Sequence, residues 1–366
     1  MEGDLIKINR WLLPLSWAYG AITTARNWLF EVGVLKSVQY PIPVIGVGNI
    51  TVGGTGKTPH VEYLIRMLSP YYKVAVLSRG YKRKTKGYVL AQEDSKMQDI
   101  GDEPWQVKQK FPHVYVAVDS NRRNGITRLM NDEATRDVQV ILLDDAYQHR
   151  YVKPGLNILL IDYHRLITDD VILPAGRLRE TARGKQRAQL VVTTKCPADI
   201  TPMGYRVVQS ALSLRPYQKL FFSTFRYGDL EGVFNNKVRP LRSLEDEEHV
   251  MLLTGIALPE QMKMDLMRYT RHIRPVSFPD HHFFTSEDAE RIEAEFRKLS
   301  PPRLIITTEK DATRLRQCSS LSEQIKQNLY ALPIQVGIMR DEQQKFNEEI
   351  IGYVRKDSRN STVAEK

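Results

Sequence analysis

Cysteine is scarce in this sequence. Its 366 residues include only Cys196 and Cys318. The two do not show a metal-ligand spacing, and two cysteines cannot build a framework of several disulfides. The sequence therefore gives no support to a disulfide-stabilised fold, and it indicates a reducing compartment.

A long apolar run is also missing. Residues 1–31 contain three of the four tryptophans, Trp11, Trp17 and Trp28, but polar residues interrupt this stretch too often for a transmembrane span. It also lacks the uninterrupted apolar core and the cleavage site of a signal peptide. An aromatic amphipathic helix with basic residues can lie in a membrane interface. We therefore predict peripheral membrane contact by residues 1–31, with a helix packed on its own domain as the alternative.

The sequence has no excess of acidic residues. Its formal net charge is +10 at pH 7, which favours an anionic partner such as a nucleotide, a nucleic acid or an acidic membrane surface. Hydrophobic residues make up 42% of the chain, which is typical of a protein with a sizeable core and not of a disordered one. The length suits two domains of about 100–200 residues each.

The most informative stretch is Thr51-Val52-Gly53-Gly54-Thr55-Gly56-Lys57-Thr58. It follows an apolar run at 43–47, which predicts a strand, and it precedes residues 61–68, whose apolar positions recur at helical spacing. Strand, glycine-rich loop and helix form the context of a phosphate-binding P-loop, in which backbone N–H groups converge on a triphosphate. Lys57 is then expected to reach the β- and γ-phosphates, and the Thr58 hydroxyl to bind Mg²⁺. Thr51 departs from the general pattern, which has glycine at that position.

A second strong signal is the apolar run 138–143, which leads directly into Asp144 and Asp145. A buried strand that delivers an aspartate to the Mg²⁺ shell is the Walker B arrangement of P-loop proteins. The alternative is a strand that ends in a solvated acidic turn. Gln148 and His149 follow in the same loop.

Four further polar clusters lie where strands are predicted to end or helices to begin. They are Ser78-Arg79-Gly80-Tyr81, Gly101-Asp102-Glu103-Pro104, Asn121-Arg122-Arg123-Asn124-Gly125 and Asp280-His281-His282. Carboxyl ends of strands face the ligand in α/β sheets. These clusters therefore indicate phosphate-binding arginines, a catalytic carboxylate at Asp102 and a histidine that pairs with a carboxylate. Solvated loops and helix caps are the alternatives.

Short apolar strands alternate with helical stretches over residues 43–195. This pattern predicts an α/β fold, a P-loop NTPase-like, mostly parallel sheet with helices on both faces. We predict a smaller C-terminal α/β domain and an N-terminal amphipathic helix as well. The expected boundaries are 1–31 for that helix, 32–210 for the P-loop domain, 211–245 for a hairpin or linker, 246–355 for the C-terminal domain and 356–366 for a flexible tail.

Together these motifs resemble the tetraacyldisaccharide 4'-kinase family, the lipid A 4'-kinases of Gram-negative bacteria. The matching segments are 48–59, 78–81, 101–104, 144–149, 174–180, 254–257, 278–281 and 308–312. They cover most of the chain and both predicted domains. Thr51 fits this family, whereas Ala146 stands where the family usually has glycine.

The resemblance implies a lipid kinase that transfers the ATP γ-phosphate to the 4'-hydroxyl of a tetraacylated glucosamine disaccharide 1-phosphate. It implies ATP and Mg²⁺ as cofactors, Asp102 as the catalytic base, His281 as its dyad partner, and Asp144 with Asp145 beside the metal. It also implies that Arg122 contacts phosphate, although Arg123 is adjacent. Further residues in matching motifs, with substrate-binding or supporting roles, are Asn49, Arg79, Tyr81, Glu103, Gln148, His149, Arg179 and Asp280.

The resemblance further implies an acylated disaccharide lipid substrate and attachment to the anionic cytoplasmic face of the bacterial inner membrane. No nucleic-acid partner is expected, because the aromatic residues cluster at the N-terminus and do not follow a basic track. A P-loop nucleotide switch or metallochaperone, acting on ATP or GTP, is the alternative. Thr194-Lys195-Cys196-Pro197 lacks the aspartate of a guanine-reading motif, which argues against GTP.

Overall fold

We describe a computed structural model of the chain, which covers residues 8–255, 259–279 and 282–364. The strands are β1 Val44–Gly48, β2 Val74–Ser78, β3 Val89–Leu90, β4 Tyr115–Val118, β5 Val140–Asp144, β6 Leu156–Asp162, β7 Leu190–Thr194, β8 Lys219–Tyr227, β9 Leu230–Gly232, β10 Val238–Arg239, β11 His249–Thr254, β12 Ile273–Ser277, β13 Arg303–Thr308, β14 Leu329–Leu332 and β15 Ile334–Ile338. The helices are α1 Leu13–Glu31, α2 Lys57–Leu68, α3 Met97–Ile100, α4 Asp102–Lys110, α5 Arg122–Asn131, α6 Pro202–Leu212, α7 Pro259–Leu266, α8 Ser286–Arg297, α9 Glu309–Leu315, α10 Glu323–Asn328 and α11 Gln343–Ala364.

The first sheet has the strand order β15-β8-β7-β6-β1-β5-β2-β4-β3 in the described part of the chain. Strand β1 pairs in parallel with both β5 and β6, and β2 lies parallel between β4 and β5. Strand β3 is the antiparallel edge strand. The mostly parallel sheet predicted from the alternating pattern is confirmed. Its parallel strands end at one edge, which is where ligands bind in folds of this type.

Helices cover both faces of this sheet, as the sequence predicts. All five residues of β1 and of β5 are buried, which is expected for strands packed on two sides. One face packs against α2, α4 and α11, and the opposite face packs against α5 and α6. The buried strands thereby hold the loop after β1 in a fixed position on a rigid scaffold.

The second sheet has the order β10-β9-β14-β13-β11-β12 among the described residues. Strands β12, β11, β13 and β14 are parallel neighbours, and β9 and β10 add an antiparallel edge. Helices α8, α9 and α10 contribute to one of its apolar clusters. This is the smaller α/β domain that the sequence predicts.

The division of the chain differs from the predicted boundaries. Two compact units are present: residues up to Phe225 together with those from Val336 onward, and Arg226–Gln335. The predicted C-terminal domain, 246–355, includes residues 336–355. They belong to the first unit, because Phe346, Ile350 and Val354 of α11 are buried in the same cluster as β1. The helix also continues to Ala364, into the segment predicted to be a flexible tail.

Helix α1 lies on the first unit with an unusual orientation. Its buried residues are Ser16, Gly20 and Phe30. The side chains of Trp17, Ile22 and Trp28 are instead 71%, 68% and 57% exposed. Apart from Phe30 near its end, the helix therefore turns small and polar residues toward the protein and several large apolar ones outward. Among the described residues, no helix is both long enough and apolar enough to cross a membrane.

Candidate active site

The loop between β1 and α2 has the geometry of a P-loop. Gly53 and Gly56 have positive φ angles of 114° and 82°, and α2 begins at Lys57. A Cβ atom at Gly56 would lie 2.6 Å from the Phe225 ring, so glycine is required there for space as well as for conformation. The exposed residues 52–54 leave the loop open above the start of the helix, where N–H groups and the helix dipole favour phosphate.

Thr51, the departure from the general pattern, is held by a neighbouring segment. On either side of it, the Val52 amide donates to the Arg177 carbonyl at 2.7 Å, and the Arg179 amide donates to the Ile50 carbonyl at 2.8 Å. We call residues 170–180 the linking segment. It pairs with the entry of the P-loop like a short strand, and no glycine is needed where such pairing keeps the backbone extended.

Buried side chains from three elements fix the far end of the P-loop. The Asn49 amide donates to the Thr55 hydroxyl at 2.7 Å, and the Thr194 hydroxyl donates to the Thr55 carbonyl at 3.0 Å. His60 lies 2.7 Å from the Gly56 carbonyl through Nδ1 and 3.0 Å from the Ser223 hydroxyl through Nε2. Burial lowers the pKa of His60 to about 4, against a smaller opposing effect of the Gly56 hydrogen bond. The neutral ring therefore donates to Gly56 and accepts from Ser223.

The two aspartates after β5 differ in environment. Burial raises the pKa of Asp144 to about 7, and the nearby carboxylates of Glu103 and Asp145 add to this rise. Asp145 has a φ of 48°, and its carboxylate lies 3.7 Å from the Lys57 ammonium and 3.2 Å from the Arg179 guanidinium. Burial opposes its ionisation, but Lys57 and Arg179 outweigh burial, so the pKa of Asp145 lies below its ordinary value.

The raised pKa of Asp144 predicts a pH-dependent cost to stability without nucleotide. The unfolded chain releases this proton near pH 3.8, whereas the folded protein holds it until about pH 7. The contribution of this group to stability therefore falls as pH rises between those values. We expect Asp144→Asn to raise the melting temperature above wild type, by more at pH 8 than at pH 5, in thermal unfolding with a chelator. The exposed Asp94→Asn is the control, and a difference that shrinks with rising pH would contradict this account.

A polar network surrounds the Asp145–Arg179 pair. Arg179 also donates to the Gln148 side-chain oxygen at 3.2 Å, and Gln148 donates to the Asn49 carbonyl at 2.8 Å. Glu180, which is 3% exposed, accepts from Gln148 at 3.1 Å and from Arg187 at 2.7 Å. Gln148 and Arg179, both predicted site residues, thus connect the P-loop to the carboxylates.

Arg122 is 2% exposed at the start of α5. Its guanidinium donates to the Asp119 carbonyl at 2.7 Å and to the Asp144 carbonyl at 3.2 Å. Burial lowers its pKa to about 10, while the charge of Asp144 acts in the opposite direction, so Arg122 stays charged at neutral pH. It fixes the end of β5, and Arg123 beside it is exposed. A direct phosphate contact by Arg122 stays a prediction.

Asp102 is the first residue of α4 and is 8% exposed. The preceding Gly101 has a φ of 94°, and a Cβ atom there would lie 2.9 Å from the Tyr81 carbonyl. The backbone just after Arg79 therefore lies against the backbone just before Asp102. Because Glu103 acts on the pKa of Asp144, the start of α4 also lies close to the carboxylates after β5.

The remaining predicted residues have varied surroundings. Arg79 and Tyr81 are exposed after β2. His149 is half-buried, and burial together with the charge of Arg122 lowers its pKa to about 4. Asp280 and His281 lie outside the described residues. His282 lies 2.7 Å from Asp288, whose carboxylate also accepts from the amide of Thr285, the N-cap of α8.

Three residues that support the site are not among those predicted from the sequence: His60, Thr194 and Glu180. Each has a partner far away along the chain, Ser223 for His60, Thr55 for Thr194 and Asn27 for Glu180. Of the three, Glu180 lies at the end of a segment that matches the family. Within the described residues, no three His, Cys, Asp or Glu side chains come together as a complete metal site. Mg²⁺ commonly binds through one or two carboxylates plus substrate phosphates, and the buried Asp144 oxygen Oδ1 has no hydrogen-bond partner among the described residues. These oxygen donors fit an Mg²⁺ ion that arrives with a nucleotide.

Comparisons with known proteins agree on one family. The model of the family described as Tetraacyldisaccharide-1-P 4'-kinase matches residues 8–355. A tetraacyldisaccharide 4'-kinase of Phocaeicola vulgatus is 55% identical over 366 residues, covering 100% of both chains. One from Bacteroides thetaiotaomicron is 52% identical over 376 residues, covering 100% of this chain and 98% of that protein. The crystal structure of LpxK from Aquifex aeolicus in complex with ATP matches with a TM-score of 0.72 and 29% identity, covering 94% of this chain and 98% of that one.

Proposed function

The chain belongs to the tetraacyldisaccharide-1-P 4'-kinase family, and from this membership we infer that its P-loop site transfers the γ-phosphate of ATP to the 4'-hydroxyl of a tetraacyldisaccharide 1-phosphate in lipid A biosynthesis. The observation that carries this function is the family match over residues 8–355. A nucleotide switch or metallochaperone would not require the motifs outside the P-loop that this chain shares with the kinases.

We propose that Asp102 accepts the proton of the 4'-hydroxyl as its oxygen attacks the γ-phosphorus. The new O–P bond forms while the bond between the γ-phosphorus and the β,γ-bridging oxygen breaks, and ADP leaves. A sugar hydroxyl is a weak nucleophile at neutral pH, so a positioned carboxylate contributes most at this step. Asp102 is buried at a helix start beside the phosphate-binding edge of the sheet, which supports this role.

The cationic groups of the site are proposed to neutralise charge during transfer. Lys57 stands at the start of α2, and Asp145 and Arg179 fix its surroundings. Phosphoryl transfer depends mainly on positioning and on charge stabilisation. The hydroxyl of Thr58 and the carboxylate of Asp144 would hold Mg²⁺, with Asp145 beside them. That ion neutralises phosphate charge when bound.

Helix α1 is proposed to contact the anionic cytoplasmic face of the inner membrane. Its outward face carries Leu15, Trp17, Ile22 and Trp28, all more than half exposed. Two basic residues flank the helix: Arg10 lies just before α1 and Lys36 lies shortly after it. Apolar and aromatic groups next to basic ones are typical of helices that lie in a bilayer interface. The acylated substrate resides in a membrane, so the enzyme must reach it there.

Replacing three large side chains on the outward face of α1 is expected to weaken membrane binding strongly. Burial of one such side chain contributes about 1.5–3 kcal/mol, so the triple variant Trp17→Ser, Ile22→Ser, Trp28→Ser should bind vesicles at least ~100-fold more weakly. Co-sedimentation with vesicles that contain anionic phospholipid measures this. The matched control is Tyr71→Ser, because Tyr71 is 70% exposed elsewhere on the same unit. Equal binding by the triple variant and the wild type would refute the contact.

The function itself is tested by following labelled γ-phosphate from ATP to a tetraacyldisaccharide 1-phosphate in detergent micelles with Mg²⁺. Labelled lipid is the expected product. If instead the rate of ATP hydrolysis does not depend on the lipid and no labelled lipid forms, the result would favour the nucleotide switch or metallochaperone.

A further inference from the structure

We propose that the inward face of α1 is part of the scaffold of the active site, and that Tyr19, Arg26 and Asn27 are positioning residues for phosphoryl transfer. This rests on the proposed kinase function and adds a second role to a helix that otherwise serves for membrane contact. All the contacts that support this role lie within the first unit.

The inward face of α1 binds the linking segment and the loop after β5. The Tyr19 hydroxyl, at the exposed edge of this face, donates to the Arg179 carbonyl at 3.2 Å, and the Asn27 amide donates to Glu180 at 3.0 Å. The Arg26 guanidinium donates to the Gln148 carbonyl through two nitrogens, each at 3.3 Å. Three residues of one helix thus contact three residues that surround the carboxylates.

Close packing sets the position of the helix. The Ser16 hydroxyl accepts from the Ala175 amide at 2.9 Å, and a Cβ atom at Gly20 would lie 3.1 Å from Ile172. The Arg150 guanidinium donates to the Asn27 carbonyl at 2.7 Å. Small residues on this face let the backbone of α1 approach the linking segment, so a shift of the helix must shift that segment.

The other side of the linking segment binds the P-loop. Its residues 177 and 179 pair with Val52 and Ile50 through backbone hydrogen bonds of 2.7 and 2.8 Å. The linking segment therefore lies between α1 and the loop that cradles phosphate. A second connection runs through Gln148, whose carbonyl accepts from Arg26 and whose amide donates to the Asn49 carbonyl.

Both connections converge on the partners of Lys57. The backbone carbonyls of Arg179 and Gln148 accept hydrogen bonds from α1. The Arg179 guanidinium donates to the Gln148 side-chain oxygen at 3.2 Å and also donates to the Asp145 carboxylate. Asp145 in turn lies 3.7 Å from Lys57. Glu180 is 3% exposed, so loss of the Asn27 donor leaves a buried carboxylate oxygen poorly satisfied. The two faces of α1 should therefore have separable functions.

Variants of the inward face provide the test. We expect Asn27→Ala to lower kcat about tenfold, because it removes a hydrogen bond to a buried charged group, with vesicle binding and the KM for lipid unchanged. Asn27→Asp should lower kcat further, since it places a second carboxylate beside Glu180, and Asn27→Gln should restore part of the activity because it keeps an amide donor. If Asn27→Asp does not fold, Tyr19→Phe replaces it as the second test variant. It removes one hydroxyl and is likewise expected to lower kcat. Thr24→Ala, on the exposed face of the same helix, is the matched control.

The opposite pattern would overturn the inference. Wild-type kcat in both Asn27→Ala and Tyr19→Phe, or a loss that appears only in vesicle binding, would leave α1 as a membrane contact alone. If the wild type itself transfers no phosphate to lipid, the proposed function fails instead. The dissociation constant of a fluorescent ATP analogue then tests the scaffold separately, with weaker binding expected in Asn27→Ala and an unchanged constant counting against it.

Discussion

Replacement of Asp102 by alanine should reduce γ-phosphate transfer to lipid by about 10²–10⁴-fold in kcat, the range expected for loss of a general base. The physical reason is that the attacking hydroxyl then has no positioned acceptor for its proton. Asp102→Asn should lose as much, because it keeps the shape of the side chain but not its basicity. Steady-state kinetics with labelled ATP in micelles measures both variants.

Two comparisons make the Asp102 result specific. Asp94→Ala removes an exposed carboxylate from the loop before α3 and should retain wild-type turnover. The dissociation constant for ATP should change little in Asp102→Asn, since a base acts on the acceptor and not on nucleotide binding. Wild-type kcat in either Asp102 variant would remove this residue from the mechanism.

Lys57→Ala is expected to lower kcat about 10³-fold, a loss similar to that caused by removing other groups that stabilise transition-state charge. Its ammonium is the cation at the start of α2, and its carboxylate neighbour Asp145 is held in turn by Arg179. Without Lys57, the charge that develops on the transferred group loses a positioned counter-charge. Single-turnover measurements separate this chemical effect from weaker nucleotide binding.

The matched control for Lys57 is Lys73→Ala. Lys73 is exposed just before β2, at the opposite end of the sheet from the P-loop, so its loss changes the net charge equally without touching the site. Equal activity of the two variants would show that general charge, and not position, accounts for the loss.

The sequence predicts those parts of the site that depend on short-range pattern. A strand, a glycine-rich loop and a helix follow one another within residues 43–68, and the aspartates directly follow an apolar run, so both features can be found without knowledge of the fold. The helix start at Asp102 is predicted in the same way, since Gly101 and Pro104 mark it, whereas the role of Asp102 as the base is implied by the family resemblance.

The missed features depend on contacts between distant parts of the chain. His60 bonds to Ser223, and Glu180 to Asn27, and no local pattern shows such pairs. The amphipathic pattern of α1 also indicates an apolar face without telling which face meets the protein. Here the buried residues are mostly small or polar, because close backbone approach and hydrogen bonds hold much of this helix, with Phe30 packed against Tyr151 near its end.

The position of the last helix has a consequence for the order in which the chain is made. Helix α11 supplies Phe346, Ile350 and Val354 to the core around β1, and the Tyr353 hydroxyl accepts from the Val44 amide at 3.1 Å. During synthesis, the strand that leads into the P-loop therefore emerges from the ribosome some 300 residues before the helix that covers it. The second unit, by contrast, has all its strands in one continuous segment. The second unit can therefore form its whole sheet before translation ends. The core of the nucleotide-binding unit can be completed only after α11 has been synthesised.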